Sequence, residues 1–250
     1  MVARFHWRQA QQVLPWCLLN FLNKHQPWQT TTQSLPFTIK STAAVRYIKQ
    51  LLKAYHPDAK NLLALACGTG EVEKALPRKY QVTGLDISND MVTAARKKMP
   101  KATFHHMDML NFELEERFDV ITCLFASLNH VLDFEDWETF FANIAEHLNP
   151  GGIFVFDVLA EICLYNLVLN SPLITRAGKL TVIGEFTMEE DHTTDWYARG
   201  FNVTRKKQEP LFAMHVKQVA FAKERIEEAL HQGFQDVAVE DPEQGEVTER

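Results

Sequence analysis

Gly68 and Gly70 directly follow a short apolar run, residues 61–66, and Asp86 stands at the end of the next one, residues 80–87. Glycines let a backbone turn tightly and approach a ligand with no side chain in the way. A carboxylate at the end of the neighbouring strand can accept hydrogen bonds from both hydroxyls of a ribose. Together they predict a nucleoside seat on a strand–turn–helix unit. A dinucleotide fingerprint would need a third glycine, and position 73 is Glu73. Glu71 and Glu73 also set negative charge at a helix start that would have to receive a pyrophosphate. Like charge there costs on the order of 1 kcal/mol or more, so an adenosine ligand with cationic groups and no phosphates suits the pocket better.

A second group of residues lies further along. Phe125-Ala-Ser-Leu-Asn-His-Val131 falls at the carboxyl end of a strand, the rim where ligands bind in open α/β sheets. His130 is the first candidate for a base near neutral pH, with Asn129 as an orienting hydrogen-bonder. The competing use of His130 is packing against, or capping, the helix that begins near Asp133. Asp157, ending the fifth strand, could steady an ammonium. Tyr165, Trp196, Tyr197 and His215 could line a lid, though an aromatic core for a small sheet is the simpler use. His105 and His106 have no third ligand at sensible spacing, so no metal is expected.

The elements that hold these residues alternate. A helical period runs through Ala44, Ile48, Leu51, Leu52 and Tyr55. Residues 61–66 then read as a strand covered on both faces, which is why it lacks alternation. Residues 80–87 form a second strand, and Ser88 caps a helix over 89–98 that Pro100 stops. Residues 102–107 and 118–125 give strands three and four. Phe134, Trp137, Phe141, Ile144, Ala145 and Leu148 mark one stripe of a strong helix. Asn149-Pro-Gly-Gly152 ends that helix and residues 153–157 are the fifth strand. Residues 179–188, 194–204 and 211–220 read as a three-stranded antiparallel insertion, with Arg205, Lys206 and Lys207 on a solvated hairpin turn. A helix over 223–232 and a strand over 233–240 follow.

At this level the chain resembles the class I S-adenosylmethionine-dependent methyltransferases. The resemblance is carried by Ala66-Cys-Gly-Thr-Gly70, Gly84-Leu-Asp-Ile-Ser88, Met107-Asp-Met109, Phe118-Asp-Val-Ile-Thr-Cys-Leu124 and Asn149-Pro-Gly-Gly152. The 125–131 segment is similar to that of small-molecule N-methyltransferases, including the glycine and amino-sugar enzymes. The resemblance implies a doubly wound, mostly parallel Rossmann-like α/β sheet with N-terminal helices and a small antiparallel β insertion after the fifth strand. It implies S-adenosylmethionine as cofactor, with S-adenosylhomocysteine as product. Ala66, Cys67, Gly68 and Gly70 would lie under its methionine part and Asp86 would hold the ribose. Ile87 and Met91 would flank adenine, Asp108 would accept from the adenine amino group with Met109 beside it, and Phe125 would also touch the cofactor. His130 and Asn129 would be the catalytic pair. Two departures stand out. The family's acid two residues before Ala66 is Ala64 here, and its closing antiparallel strand has no counterpart after residue 240, so another segment must cover that sheet edge or the sequence is truncated.

The implied activity is methyl transfer to a small-molecule amine or hydroxyl; the alternative is a binding or regulatory protein of the same fold without turnover. Residues 1–59 would be an N-terminal helical segment, 60–160 with 221–250 the cofactor-binding core, and 161–220 a substrate lid. The 26 Lys+Arg against 32 Asp+Glu give a net charge of −6, which argues against nucleic acid or an anionic membrane as the partner. The apolar run Val13 to Leu22 carries Pro15 and Asn20 and is too short to span a bilayer, so it reads as a packed helix. Four scattered cysteines without paired spacing point to a reduced, cytoplasmic setting. Oligomeric state has no signal in the sequence.

Overall fold

The computed structural model describes residues 1–8, 37–177, 179–202 and 210–240. Its main sheet has seven strands: β1 (Val2–Arg8), β2 (Asn61–Leu65), β3 (Gln81–Asp86), β4 (Thr103–His106), β5 (Phe118–Cys123), β6 (Leu148–Leu159) and β11 (Asp236–Glu240). Their order is β11-β1-β6-β5-β2-β3-β4, and every pairing is parallel. All carboxyl ends therefore lie on one rim.

Both faces of this sheet are covered, because successive strand residues point to opposite sides. On β6, Phe154 and Phe156 face one cluster with Phe5, Trp137, Phe140 and Phe141, under helices α4 (Phe134–His147) and α6 (Lys223–His231). Ile153 and Val155 face another with Ile48, Leu51 and Leu52 of α1 (Phe37–Tyr55) and Val72 of α2 (Glu71–Ala75). Helix α3 (Asn89–Lys98) begins where the sequence placed it, with the Ser88 hydroxyl accepting from the Met91 amide at 3.5 Å.

The amino terminus departs from expectation. Residues 2–8 are not part of a helical segment but a core strand that lies between β6 and β11. There β1 pairs with both neighbours and fills the place between them, and β11 is the end strand of the sheet as described. Phe5 is buried and stacks on Phe156 at 5.1 Å. Arg4 points to the other face, donates to both Asp236 carboxylate oxygens at 3.0 and 2.7 Å, and lies 4.5 Å from the Tyr55 ring centroid. The helix expected over residues 13–22 and the basic run at 205–207 lie outside the described residues.

After β6 the chain forms α5 (Glu161–Leu169) and then a second sheet of four antiparallel strands rather than three, in the order β10-β9-β8-β7. These are β7 (Leu173–Ala177), β8 (Leu180–Met188), β9 (Thr194–Asn202) and β10 (Phe212–Gln218). Its inner face, with Phe186 stacked on Trp196 at 5.3 Å, packs on Cys163, Leu164 and Leu167 of α5 and on Ala126 and Leu159 at the rim of the main sheet. Trp196 is thus core. Tyr197 and His215 stack on each other at 4.2 Å on the opposite face, where His215 and Lys217 both pair with Asp195. Tyr165 is on the exposed side of α5.

One packing contact gives a direct check of the β3 register. A Cβ on Gly84 would stand 2.6 and 2.7 Å from two Phe104 ring carbons and 3.0 Å from Cys67 Sγ. Gly84→Ala is expected to destabilise the fold by about 1–3 kcal/mol, seen as a lowered melting temperature of roughly 2–4 °C per kcal/mol.

Candidate active site

The turn after β2 is built from alternating left-handed residues: Ala66 at φ 48°, Gly68 at φ 56° and Gly70 at φ 73°. Glycine takes these angles without strain. Around Gly68 there is open space, since an added Cβ would meet nothing within 4 Å. Gly70 caps the start of α2, where an added Cβ would meet Phe104, Ala95 and Met99 only at ordinary contact, so it is the positive φ that calls for glycine. The turn is tied to the neighbouring strand twice: the Cys67 amide donates to Leu85 O at 3.0 Å, and the Gly68 amide donates to Asp86 Oδ2 at 2.8 Å. Asp86 Oδ1 accepts from the Ser88 amide at 2.9 Å. The carboxylate is thus buried, fixed and beside the turn. Each of its oxygens keeps a further lone pair for a ligand hydroxyl.

Around this seat the other residues sort clearly. Ile87 is 69% exposed next to Asp86, an apolar surface that a flat base could cover. Met91 is buried under α3 and offers no open surface. Asp108 uses Oδ1 to accept from the Leu110 amide at 3.0 Å, an Asx turn that also accounts for an acid at that position. Met109 is partly buried, with its sulfur 4.0 Å from Cys123 Sγ. Cys67 Sγ sits 3.6 Å from Gly68 O. His106 Nε2 meets Ile87 O at 2.9 Å, at the edge of the same seat.

The acids at the start of α2 are less negative than their count implies. Lys98 reaches back from the end of α3 to pair with Glu71 and to donate to the Thr69 hydroxyl at 2.9 Å. Glu73 is buried, and that burial pushes its carboxyl up to about 7 against the opposing pull of its own backbone and Lys98, with Glu71 and Asp86 adding to the rise. The electrostatic objection to a phosphate ligand is therefore weaker than the sequence suggested. The missing third glycine still stands.

On the far side of the rim, Phe125 (φ 66°) and Ala126 (φ 55°) are consecutive left-handed residues at the end of β5. Non-glycine residues in this region cost on the order of 1–3 kcal/mol each and cluster at functional sites. The Ala126 amide donates to Asp157 Oδ1 at 3.4 Å, so the buried Asp157 carboxylate braces the turn. A short 3₁₀ turn, Leu128–His130, follows. Asn129 is fully buried, with its Nδ2 donating to Leu159 O at 3.1 Å and Val219 O at 2.7 Å and its Oδ1 accepting from the Leu159 amide at 2.9 Å. Every polar atom of its side chain is used, so it ties β6 to the end of the insertion instead of reaching for a substrate. His130 Nδ1 lies 3.1 Å from Lys217 O. A carbonyl only accepts, so this hydrogen bond takes Nδ1–H as its donor.

Parallel strands, a left-handed turn after β2 and a carboxylate at the end of β3 make a candidate nucleoside seat on a Rossmann-like α/β sheet. Comparison with known proteins agrees. Residues 62–152 match the methyltransferase domain family. The chain is 38% identical over 111 residues to dTDP-3-amino-3,4,6-trideoxy-alpha-D-glucopyranose N,N-dimethyltransferase of Streptomyces venezuelae, covering 44% of this chain and 47% of that protein. The match thus spans about half the length of that relative. An S-adenosylmethionine-dependent methyltransferase structure from Clostridium acetobutylicum superposes with a TM-score of 0.69 at 23% identity, covering 86% of this chain and 85% of that one. The S-adenosylmethionine-bound amino pentose methyltransferase CalS10 of Micromonospora echinaspora superposes at 0.65 with 22% identity, covering 81% and 91%. The likeness to the methyltransferase domain family covers residues 62–152, and the fold of the chain is that of the S-adenosylmethionine-dependent methyltransferase structures.

The residues present fit that cofactor. The space over Gly68, the exposed Ile87 and the fixed Asp86 carboxylate would receive a nucleoside, while Glu73 contributes a buried carboxyl whose Oε2 has no hydrogen-bond partner among the described residues.

Proposed function

We propose that this protein transfers a methyl group from S-adenosylmethionine to the nitrogen of a small-molecule amine, with a sugar-linked amine as the favoured acceptor class. The observation that carries the reading is the braced left-handed turn at Phe125–Ala126, facing the carboxyl rim beside His130 and anchored by Asp157. The sugar class rests on the relatives matched by residues of the methyltransferase domain.

S-adenosylmethionine, when bound, supplies an electrophilic methyl group on a sulfonium. Asp86 and the Ala66–Gly70 turn would hold its nucleoside, with Ile87 against the base and Asp108 and Met109 at its far edge. Phe125 and Ala126 shape the floor under the reacting groups, and Asn129 positions that floor through β6 and the insertion. His130 would take the proton that the acceptor nitrogen gives up. Residues 161–220 would close the acceptor side as a lid. The acceptor would be a small molecule and not nucleic acid, in keeping with the net charge of −6. Among the described residues no helix is long and apolar enough to cross a membrane; a cytoplasmic setting, read from the scattered cysteines, belongs to the same proposal.

The test is incubation with S-adenosylmethionine and a panel of nucleotide-linked amino sugars and their hydroxyl counterparts, read by mass spectrometry. A mass gain of one methylene on an amine, matched by S-adenosylhomocysteine, supports the reading. Tight S-adenosylhomocysteine binding with no transfer to any acceptor would favour a protein that binds without turnover. His130→Ala should lower kcat about tenfold at pH 7, because an amine already partly unprotonated needs the base for only part of the barrier. Its S-adenosylhomocysteine affinity should stay at the wild-type value, measured by calorimetry.

A further inference from the structure

The strand leading into the turn brings no carboxylate to it. Ala64 is buried among Leu62, Val72 and Val82. The buried acid comes instead from the helix that follows. Glu73 is 6% exposed, three residues beyond Gly70, and its Oε2 has no hydrogen-bond partner among the described residues. Asp86 and Lys98, which flank the turn from β3 and α3, are both near enough to act on it electrostatically. Lys98 is already committed to Glu71 and Thr69, and Asp86 to the Gly68 and Ser88 amides. A buried carboxyl with an idle oxygen is costly to keep. Its retention beside a ligand turn calls for a cationic or hydrogen-bond-donating partner that arrives with the ligand.

We propose that Glu73 is the positioning residue that receives the ammonium of the cofactor's amino-acid end, so that the acid comes from α2 and not from β2. This rests on the cofactor reading above. An ammonium there would fill the idle oxygen of Glu73 and offset the carboxyl that Asp86 and Glu71 otherwise oppose. The ribose end is served separately by Asp86. The two acids would therefore read different parts of one ligand.

The distinction can be measured with two nucleosides. S-adenosylhomocysteine carries the ammonium, and 5′-methylthioadenosine lacks the whole amino-acid end. Each is titrated calorimetrically at pH 8 into wild type, Glu73→Gln and Glu73→Leu. The expected result is an S-adenosylhomocysteine Kd raised about tenfold in Glu73→Gln and further in Glu73→Leu, since hydrogen bonds to a charged group are the strong ones. The 5′-methylthioadenosine Kd should stay within about twofold, as deletions that touch no ligand group leave its binding unchanged. Equal losses for both nucleosides would make Glu73 a structural support of the turn and overturn the proposal. So would unchanged affinity for both. Wild type that binds neither nucleoside would overturn the nucleoside site itself, whatever the variants do.

Discussion

Asp86→Ala is expected to weaken S-adenosylhomocysteine binding at least about a hundredfold, since two hydrogen bonds from ribose hydroxyls to a charged acceptor contribute about 1.5–3 kcal/mol each. The geometry behind this is specific. Both oxygens of Asp86 already accept backbone amides, from Gly68 at 2.8 Å and from Ser88 at 2.9 Å. The side chain thus holds the turn in shape and presents the carboxylate at once. Removing it leaves the Gly68 and Ser88 amides without their acceptor, so the melting temperature should fall as well. Asp86→Asn separates the two effects only partly, because its amide NH₂ would face one of those N–H donors. Calorimetry measures the first effect and thermal unfolding the second. An Asp86→Ala protein that binds S-adenosylhomocysteine as tightly as wild type would remove the carboxylate from the site.

The second large effect is on stability against pH. Glu73 sits at about 7 in the fold against an ordinary 4.5, chiefly because it is buried. Below pH 4.5 the carboxyl is protonated whether the chain is folded or not, and the group makes no difference. As pH rises from there towards 7, the unfolded chain ionises first and gains on the folded one. Above 7 both are ionised and the full penalty is present, about 3 kcal/mol at one pKa unit per 1.36 kcal/mol. Wild type should therefore lose stability between pH 5 and 8. Glu73→Gln should lose less over the same range and be the more stable protein at pH 8 by about 3 kcal/mol. Urea unfolding at a series of pH values measures this. Parallel curves for the two proteins would contradict the burial of the carboxyl.

Much of the local geometry of the candidate site was legible because its signals are local. The Gly68–Gly70 turn, Asp86 at the end of a strand, and the Ser88 cap each arise from a few adjacent residues and one chemical need, and they sit where the spacing placed them. What was hidden depends on distant partners or on backbone shape. Strand β1 has a strand's alternation, yet its fate is set by pairing with residues 153–159 and 236–240, which no local pattern announces. Helix α5 is apolar nearly all round, with Cys163, Leu164 and Leu167 inside and Ile162, Tyr165 and Leu169 outside, so it shows no 3.6-residue period. The extra strand β7 is short and follows directly on that helix.

Side-chain roles were read less well than side-chain places. Asn129 stands beside His130, but it is saturated by Leu159 and Val219, partners that only the fold brings near. Met91, in the first turn of α3, is buried. The left-handed pair Phe125–Ala126 gives no compositional sign, since neither residue is one that favours such angles. In the sequence Glu73 reads, with Glu71, as negative charge at a helix start. The one available clue was its place between Val72 and the apolar Leu76, on a helix too short to turn a polar face fully outward.

A crystal structure of the full chain with S-adenosylhomocysteine tests the whole arrangement in one measurement. The expected density places both ribose hydroxyls within hydrogen-bond distance of Asp86, the base over Ile87, the amino-acid end beside the Ala66–Gly70 turn and the sulfur towards Phe125 and Ala126. Ligand density elsewhere on the protein, or a nucleoside at the turn with its ribose away from Asp86, would contradict the assignment of this rim as the methyl-donor site.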